Sequence, residues 1–454
     1  MSRPEQHSLT ARAAPPSALA ALQVEFADGD LTPVEHVDSV LQRLRHDPHN
    51  AVVTLDEERA RREAAALAVE LRQRGPRSPL HGVAIGVKDL IDVAGLPTRA
   101  GSTVRAEAPP ARADAAVVVL LRRAGAIVVG KLHTHEFGHG PTGDVAATGP
   151  ARNPHDLSRI TGGSSSGPAA AVAAGHLPLA IGTDTGGSVR IPAALCGVLG
   201  LKPSWGALST RGVFPLSPSL DHVGLLAADP YTGLAGWEIL AAPGPQDPVG
   251  PPRRLRVGVP YDQYWSETDP IVALAVTRAA HALDAAEIQV VPVSTPGIQE
   301  LAATYMPILG REAYAVHAGT LTERAADYQP ATEAGLKSYA EYREHDYQQA
   351  KQTARRLAGT LSTNLTNVDV LLTPTTRIRA TPLGAPFVTV GHERTTVAAA
   401  LLELTLPFNL LGWPALSVPA PGAGLPVGLQ LVATGGAGSD ERTLLSLARI
   451  LQAM

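Results

Sequence analysis

Cysteine is almost absent from this chain. Cys196 is the only one in 454 residues, so an internal disulfide is excluded and a reducing compartment is the expectation. An excess of one charge is missing too. The formal net charge is −4, which gives no global reason to expect nucleic acid or an anionic membrane as partner. No apolar run reaches the length of a membrane span, because His176 and Pro178 interrupt the best candidate. The first twenty residues lack a basic start followed by a continuous apolar stretch, so no secretory signal is read there. There is no internal repeat, coiled-coil pattern or low-complexity tract. These absences leave a soluble cytoplasmic protein without membrane contact as the expectation. What is present suits a large enzyme: 44% hydrophobic and 18% charged residues, enough to bury a sizeable core.

The start of the chain is Pro-rich and reads as loose. Ser17–Phe26 and Pro33–Arg45 carry helical spacing, with Thr32 placed to cap the second. Glu57–Arg74 is a further helix. Gly82–Asp89, GVAIGVKD, alternates small and apolar residues like a strand and delivers Lys88 at its end. Ala113–Arg123 reads as a helix and Ala126–Gly130 as a strand. Later, Leu255–Val259, Gln289–Val293, Asp369–Thr373 and Val427–Ala433 read as strands, and Pro270–Ala286 and Ser439–Leu451 as helices. Asp229–Pro252, rich in Pro and Gly, reads as a crossing loop. From about residue 299 to 364 the pattern is helical with no strand signal. We read it as an insertion covering a pocket, with extra outer-layer helix as the alternative. Length alone allows about two or three domains. The alternation argues for an α/β protein with a large, mixed but mainly parallel central sheet flanked by helices.

The stretch from Thr161 to Lys202 organises the rest. Two Gly/Ser clusters, TGGSSSG at Thr161–Gly167 and GTDTGGS at Gly182–Ser188, flank an Ala-rich run, Pro168–Gly175, and an apolar one, Leu177–Ile181. This pattern predicts loop, helix, buried strand, then a second loop opening onto a short helix. Small residues before Val189 leave the backbone N–H groups of Thr185–Ser188 uncovered, and such groups cradle a developing negative charge. Two other motifs compete. His135–His139, HEFGH, formally matches a zinc-binding signature that needs both histidines on one helical face, but Gly138, Gly140 and Pro141 oppose a helix. Gly163–Gly167, GSSSG, matches a nucleophile elbow centred on Ser165, which needs an apolar strand before it; Pro154–Ile160, PHDLSRI, is a poor strand. The remaining reading uses Lys88, Ser164 and Ser188. A serine hydroxyl needs a base to attack an amide. A lysine serves only when neutral, so its ordinary pKa of about 10.4 must fall to roughly 7–8, as burial makes it do. A second serine can relay the proton, since a hydroxyl both donates and accepts. Nothing in the spacing alone brings the three together.

At these residues the chain resembles the amidase signature family of serine hydrolases. The matching segments are GVKD with Lys88, GGSSSG with Ser164, and GTDTGGSVRIPAALCGVLGLKPS with Ser188, the two serines standing 24 residues apart. RNP at Arg152–Pro154, SLDHVG at Ser219–Gly224, LPFNLLGWPALSVP at Leu406–Pro419 and GLPVGLQL at Gly424–Leu431 extend the likeness over nearly the whole chain. The resemblance implies a single domain over residues 1–454. It implies Ser188 as nucleophile, Lys88 as general base, and Ser164, preceded by a cis peptide bond, as proton relay. The N–H groups of Thr185, Gly186, Gly187 and Ser188 would form the oxyanion hole, supported by Ser165, Asp184 and Arg190. Ser166 and Pro168 depart from the glycine and small residue commoner in the family. The implied reaction is hydrolysis of the C–N bond of a small carboxylic amide through an acyl-enzyme, with no metal or other cofactor; esters and carbamates lie within reach of the same apparatus. The alternative is the glutamine-hydrolysing component of a tRNA-dependent amidotransferase, which works with partner subunits and nucleic acid. A scaffold without activity is a third reading, opposed by retention of all three triad positions. A homodimer stays open. For substrate contacts the expectation falls on His133, Phe137 and Gly163, and on Tyr305, Met306 and Tyr314, although aromatics at helical spacing more often form core than pocket.

Overall fold

The structure, a computed structural model, describes residues 17–241, 255–435 and 440–453. The Pro-rich start, Ser439 and the end of the Asp229–Pro252 stretch lie outside these. Local signals fix many elements. Thr32 and Glu35 cap the helix Pro33–Arg45 reciprocally: the Thr32 hydroxyl accepts from the Glu35 N–H, the Glu35 carboxylate accepts from the Thr32 N–H, and Pro33 takes the first position, where no N–H is needed. Glu57–Arg74 is a helix with the expected bounds. Asp229–Pro252 is a correction. Pro230–Leu240 forms a helix, because Pro230 occupies its first turn and the Asp229 side chain accepts from the Thr232 N–H. Proline here starts a helix instead of marking a loop.

The strands are β1 (Val52–Leu55), β2 (Ala84–Lys88), β3 (Ile127–Leu132), β4 (Arg152–Asn153), β5 (Asp156–Ile160), β6 (Leu179–Asp184), β7 (Leu199–Lys202), β8 (His222–Ala227), β9 (Arg256–Pro260), β10 (Gln289–Val293), β11 (Val370–Pro374), β12 (Phe387–Val390), β13 (Glu393–Thr396), β14 (Ala415–Pro419) and β15 (Gly428–Ala433). Eleven of them build one sheet in the order β1-β3-β2-β6-β8-β7-β14-β15-β11-β9-β10, while β4–β5 and β12–β13 are separate hairpins. The sheet is mixed, as expected, but the parallel majority is not observed. Only β2–β3, β2–β6, β9–β11 and β9–β10 are parallel; the other six neighbouring pairs are antiparallel. For neighbours that follow each other in the chain the reason is connection length. Where a helix-bearing crossover joins neighbours they run parallel, whereas β14 and β15 are joined by the short segment Ala420–Val427 and must reverse.

Both faces of the sheet are covered. Ile85, Val87, Leu179 and Ile181 pack in one layer with helices Ala116–Arg123, Pro230–Leu240 and Glu441–Gln452. Ala84 and Ala180 pack in the other with the helix Ser166–Ala173. Each buried Val or Ile contributes about 1.5–3 kcal/mol relative to exposure, and that packing holds β2 in place even though it ends on a lysine. Between β10 and β11 the helices Ile298–Ala303, Tyr305–Arg324, Pro330–Ser338 and Glu344–Asn364 occupy the stretch read as helical. Tyr305, Ile308 and Leu309 of that segment pack with Leu90, Phe137 and Leu220 near the C-terminal end of β2. Among the described residues no helix is long and apolar enough to cross a membrane.

Candidate active site

Three of the chain's five lysines, Lys88, Lys131 and Lys202, are fully buried. Lys131 Nζ pairs with Asp89 Oδ1 at 2.9 Å. Lys202 Nζ donates to the Pro203 carbonyl at 2.9 Å. Lys88 meets hydroxyls instead: its Nζ lies 2.7 Å from Ser164 Oγ and 2.7 Å from Thr183 Oγ1. Burial pushes its pKa from the ordinary 10.5 down to about 7, against an upward pull from Asp184 and Asp221. The amine therefore sits near the balance between its charged and neutral forms at neutral pH, and a neutral amine at this distance can take a proton from a hydroxyl.

The register of β2 on β6 pairs Val87 with Ile181, so both strands end side by side and bring Lys88 next to the loop after β6. The peptide bond Gly163–Ser164 is cis. Ser165 ties this loop to β6 twice, its Oγ donating to the Thr183 carbonyl (3.0 Å) and accepting from the Thr183 N–H (3.2 Å). Its own N–H donates to the Ser188 carbonyl at 3.0 Å, which sets the two Gly/Ser loops against each other. Ser188 is 6% exposed, and its hydroxyl makes no hydrogen bond among the described residues. The neighbouring helix, Arg190–Cys196, starts directly after this loop.

Asp184 and Arg190 hold the loop from beneath. Both are completely buried. Asp184 Oδ1 accepts from the Gly187 N–H (2.9 Å) and Arg190 Nη2 (3.0 Å), and Oδ2 from Arg190 Nε (3.0 Å) and the Val189 N–H (3.2 Å). Burial alone would favour a neutral carboxyl, yet Arg190 holds it ionised, well below the usual range. Of the four amides read as oxyanion donors, that of Gly187 donates to Asp184, whereas the amides of Gly186 and Ser188 make no hydrogen bond among the described residues. Gly187 has φ +138, and a Cβ there would stand 2.2 Å from Thr405 Oγ1. A Cβ on Gly186 would stand 2.3 Å from the Tyr305 hydroxyl. Gly186→Ala is therefore expected to cost about 1–3 kcal/mol through overpacking, with part of that loss recovered in the double variant carrying Tyr305→Phe. Urea unfolding of the three chains checks it.

The remaining expected residues divide. Tyr305 brings its hydroxyl beside Gly186, and Gly163 forms the cis peptide bond to Ser164. His133 is buried between Ser166 Oγ (2.7 Å) and the Gly149 carbonyl (2.8 Å), where it secures the helix Ser166–Ala173. Phe137 is 1% exposed in a cluster with Phe214, His317 and Tyr328. Met306 is exposed, and Tyr314 lies half-buried among the helices of the 298–364 segment.

The competing motifs lack their geometry. Glu136–Gly138 is a single 3₁₀ turn with Phe137 at φ +52. His135 Nδ1 accepts from the Gly143 N–H and His139 Nε2 meets Tyr339 Oη, while the Glu136 carboxylate accepts from Ser102 and the Gln329 N–H. The two histidines are thus directed to separate partners. The residues before GSSSG do form a strand, β5, contrary to the reading of them as poor strand formers, but it belongs to a small hairpin outside the sheet. Ser165 is buried there, not raised on an elbow.

Several residues escaped the sequence reading. Thr183 shares the amine of Lys88. Asn409 Nδ2 donates to Asp184 Oδ1 (2.8 Å), and its Oδ1 accepts from Arg190 Nη2 (2.6 Å); Gln430 Oε1 accepts from Arg190 Nη1 (2.7 Å). Asp221 Oδ1 accepts from the Thr185 hydroxyl at 2.6 Å, and burial raises its pKa to about 6 despite that bond. The only signal for them was their place inside the motif segments: GTDTGGS for Thr183, PFNL for Asn409, GLQL for Gln430 and SLDHVG for Asp221.

Known proteins resemble this chain over most of its length. The Amidase family model matches residues 35–444. AtzE of Pseudomonas sp. (strain ADP), part of a 1-carboxybiuret hydrolase, is 37% identical, covering 89% of this chain and 90% of that protein. A component of the glutamyl-tRNA(Gln) amidotransferase of Roseiflexus sp. (strain RS-1) is 36% identical, covering 93% of each. A solved structure described as an amidase superimposes with a TM-score of 0.88 at 39% identity, covering 96% of this chain and 99% of that one. With a family match this long and relatives this similar, the chain belongs to the amidase signature family of hydrolases acting on amides.

Proposed function

We propose that the chain hydrolyses the C–N bond of a small carboxylic amide, with Ser188 as nucleophile, Ser164 as relay and Lys88 as base. The observation that carries this reading is the buried Lys88 amine 2.7 Å from Ser164 Oγ, with its pKa brought down to about 7 by burial. In the reaction Ser188 Oγ bonds to the carbonyl carbon, its proton passes to Ser164, and the Ser164 proton passes to Lys88. The amides of Thr185, Gly186 and Ser188 receive the oxyanion, each such donor lowering the barrier by about 3 kcal/mol. As the C–N bond breaks, the proton returns through Ser164 to the leaving amine, and water then releases the acid from the acyl-enzyme. The one-domain chain carries its helical segment over this site, a placement supported by Tyr305 standing beside Gly186.

Because the neutral amine is the active form, kcat/KM on an amide is expected to rise about tenfold per pH step below pH 7 and to level off above it. Lys88→Ala should remove that rise and lower amide turnover more than ester turnover, since a poorer leaving group depends more on the returned proton. Assaying amides, esters, carbamates and glutamine with both chains from about pH 5 to pH 9 tests the reading. Equal losses on amide and ester, or an unchanged profile, would contradict it.

A second reading rests on the 36% identity to the amidotransferase component of Roseiflexus. In it the same serine releases ammonia from glutamine for a partner protein. Turnover of simple amides by the isolated chain supports the first reading. Activity confined to glutamine, and only within a multi-protein complex, supports the second.

A further inference from the structure

Asp47, His49 and His176 are the one group of metal-ligating side chains among the described residues whose donor atoms gather within 4.8 Å of one another. They come from two loops 129 residues apart in sequence: Asp47 and His49 from the turn before β1, His176 from the turn between the helix Ser166–Ala173 and β6. Asp47 Oδ1 lies 2.6 Å from His49 Nδ1 and 3.1 Å from His176 Nε2. The side chains are 3%, 12% and 11% exposed in that order, nearly enclosed yet still open to an ion and a water.

We propose that these three side chains bind a divalent transition-metal ion of the zinc class, which clasps the two loops together at a site separate from the reacting serine. Two imidazoles and one carboxylate are a donor set suited to Zn²⁺ and its borderline neighbours and ill suited to Mg²⁺ or Ca²⁺, which take oxygen ligands. Three protein ligands leave a fourth position for water. The carboxylate is already oriented, since Asp47 Oδ2 accepts from the Ala51 N–H at 2.7 Å and leaves Oδ1 facing the imidazoles. The loop that carries it is fixed as well. The Asn50 side-chain amide donates to the carbonyls of Thr148, Gly149 and Pro150, and the His49 carbonyl accepts from the Arg152 N–H at 2.8 Å. His176 adds an independent pointer: its Nδ1 is buried with no partner among the described residues, so the ring's one polar contact there is the approach of Nε2 to Asp47. The cation beside this turn, Arg43, donates to the His176 carbonyl (3.3 Å) and not to the carboxylate. His176 precedes β6 and Asp184 ends it, a strand's length of roughly 20 Å at ~3.3 Å per residue, so an ion here anchors the scaffold without touching the substrate.

The test uses the full chain freed of metal by a chelator. Zn²⁺ is titrated by calorimetry and Co²⁺ by visible absorption into the wild type, His49→Asn and His176→Asn. The expected result is one equivalent of Zn²⁺ in the wild type, a higher Tm with metal, affinity at least tenfold weaker in each variant, and amide turnover unchanged by metal or by either substitution. Absence of stoichiometric binding in the wild type, or equal affinity in the variants, overturns the proposal. Should a variant fail to fold, the wild type decides alone. The imidazole ¹⁵N resonances of His49 and His176 shift on Zn²⁺ addition if the site is real, and unmoved resonances refute it.

Discussion

Ser188→Ala is expected to lower amide turnover by about 10⁵-fold or more and to abolish covalent labelling by a fluorophosphonate probe, with the fold intact. The substitution is clean. The Ser188 hydroxyl makes no hydrogen bond among the described residues, and the residue's backbone contact to the Ser165 N–H survives. Stability should therefore change by less than about 0.5 kcal/mol, the range of a substitution that removes no packing or hydrogen bond. Ser164→Ala makes the informative comparison. It removes the hydroxyl 2.7 Å from the Lys88 amine but leaves Thr183 at 2.7 Å, so labelling of Ser188 should slow without vanishing. Mass spectrometry of the labelled peptide decides. Label on Ser164 or Ser165, or persistent label in Ser188→Ala, would refute the assignment of the nucleophile.

Asp184→Asn should have the largest effect on stability, a loss of about 3–5 kcal/mol. Asp184 receives donors on both oxygens: from Gly187, Arg190 and Asn409 on Oδ1, and from Val189 and Arg190 on Oδ2. An amide would turn an NH₂ group against one of these sets and leave the buried Arg190 guanidinium without its counter-charge. Arg190 keeps the Thr405 carbonyl, Gln430 and Asn409 as hydrogen-bond partners, none of which carries negative charge. Activity should fall with stability, because the Gly187 amide loses its anchor and the adjoining amides of Gly186 and Ser188 lose their fixed direction. Denaturant unfolding at neutral pH measures the first effect and kcat the second. A loss below about 1 kcal/mol would show that the pair is less isolated from water than its burial indicates.

Helix ends and buried strands were legible wherever the signal was local. Pro33–Arg45 announced itself by Thr32, Pro33 and Glu35, and Gln289–Val293 by a β-branched run between a helix and a turn. Strand direction was not legible, because alternating elements imply crossovers and do not reveal that β6, β8, β7 and β14 lie beside each other in reversed directions. The separation of 76 residues between Lys88 and Ser164, and of 95 between Lys88 and Thr183, places their meeting beyond any periodicity argument. Family resemblance supplied Ser164. Thr183 stayed hidden inside the GTDTGGS cluster, where nothing local separates the hydroxyl that reaches Lys88 from its neighbours. His133 and Phe137, a polar and an aromatic side chain in a Gly-rich loop read as substrate contacts, are buried against Ser166 and against a cluster of rings, and no local pattern marks either set of partners.

The claim on which the mechanism depends is that the Lys88 amine is neutral at working pH. With five lysines in the chain, NMR titration of the ε-carbons after selective ¹³C labelling tests it directly, Lys88→Met identifying the signal. A midpoint near 7, matched by the midpoint of kcat/KM, is the expected result. A Lys88 signal that stays protonated up to the ordinary lysine range while the enzyme works at full rate near neutral pH would contradict the account.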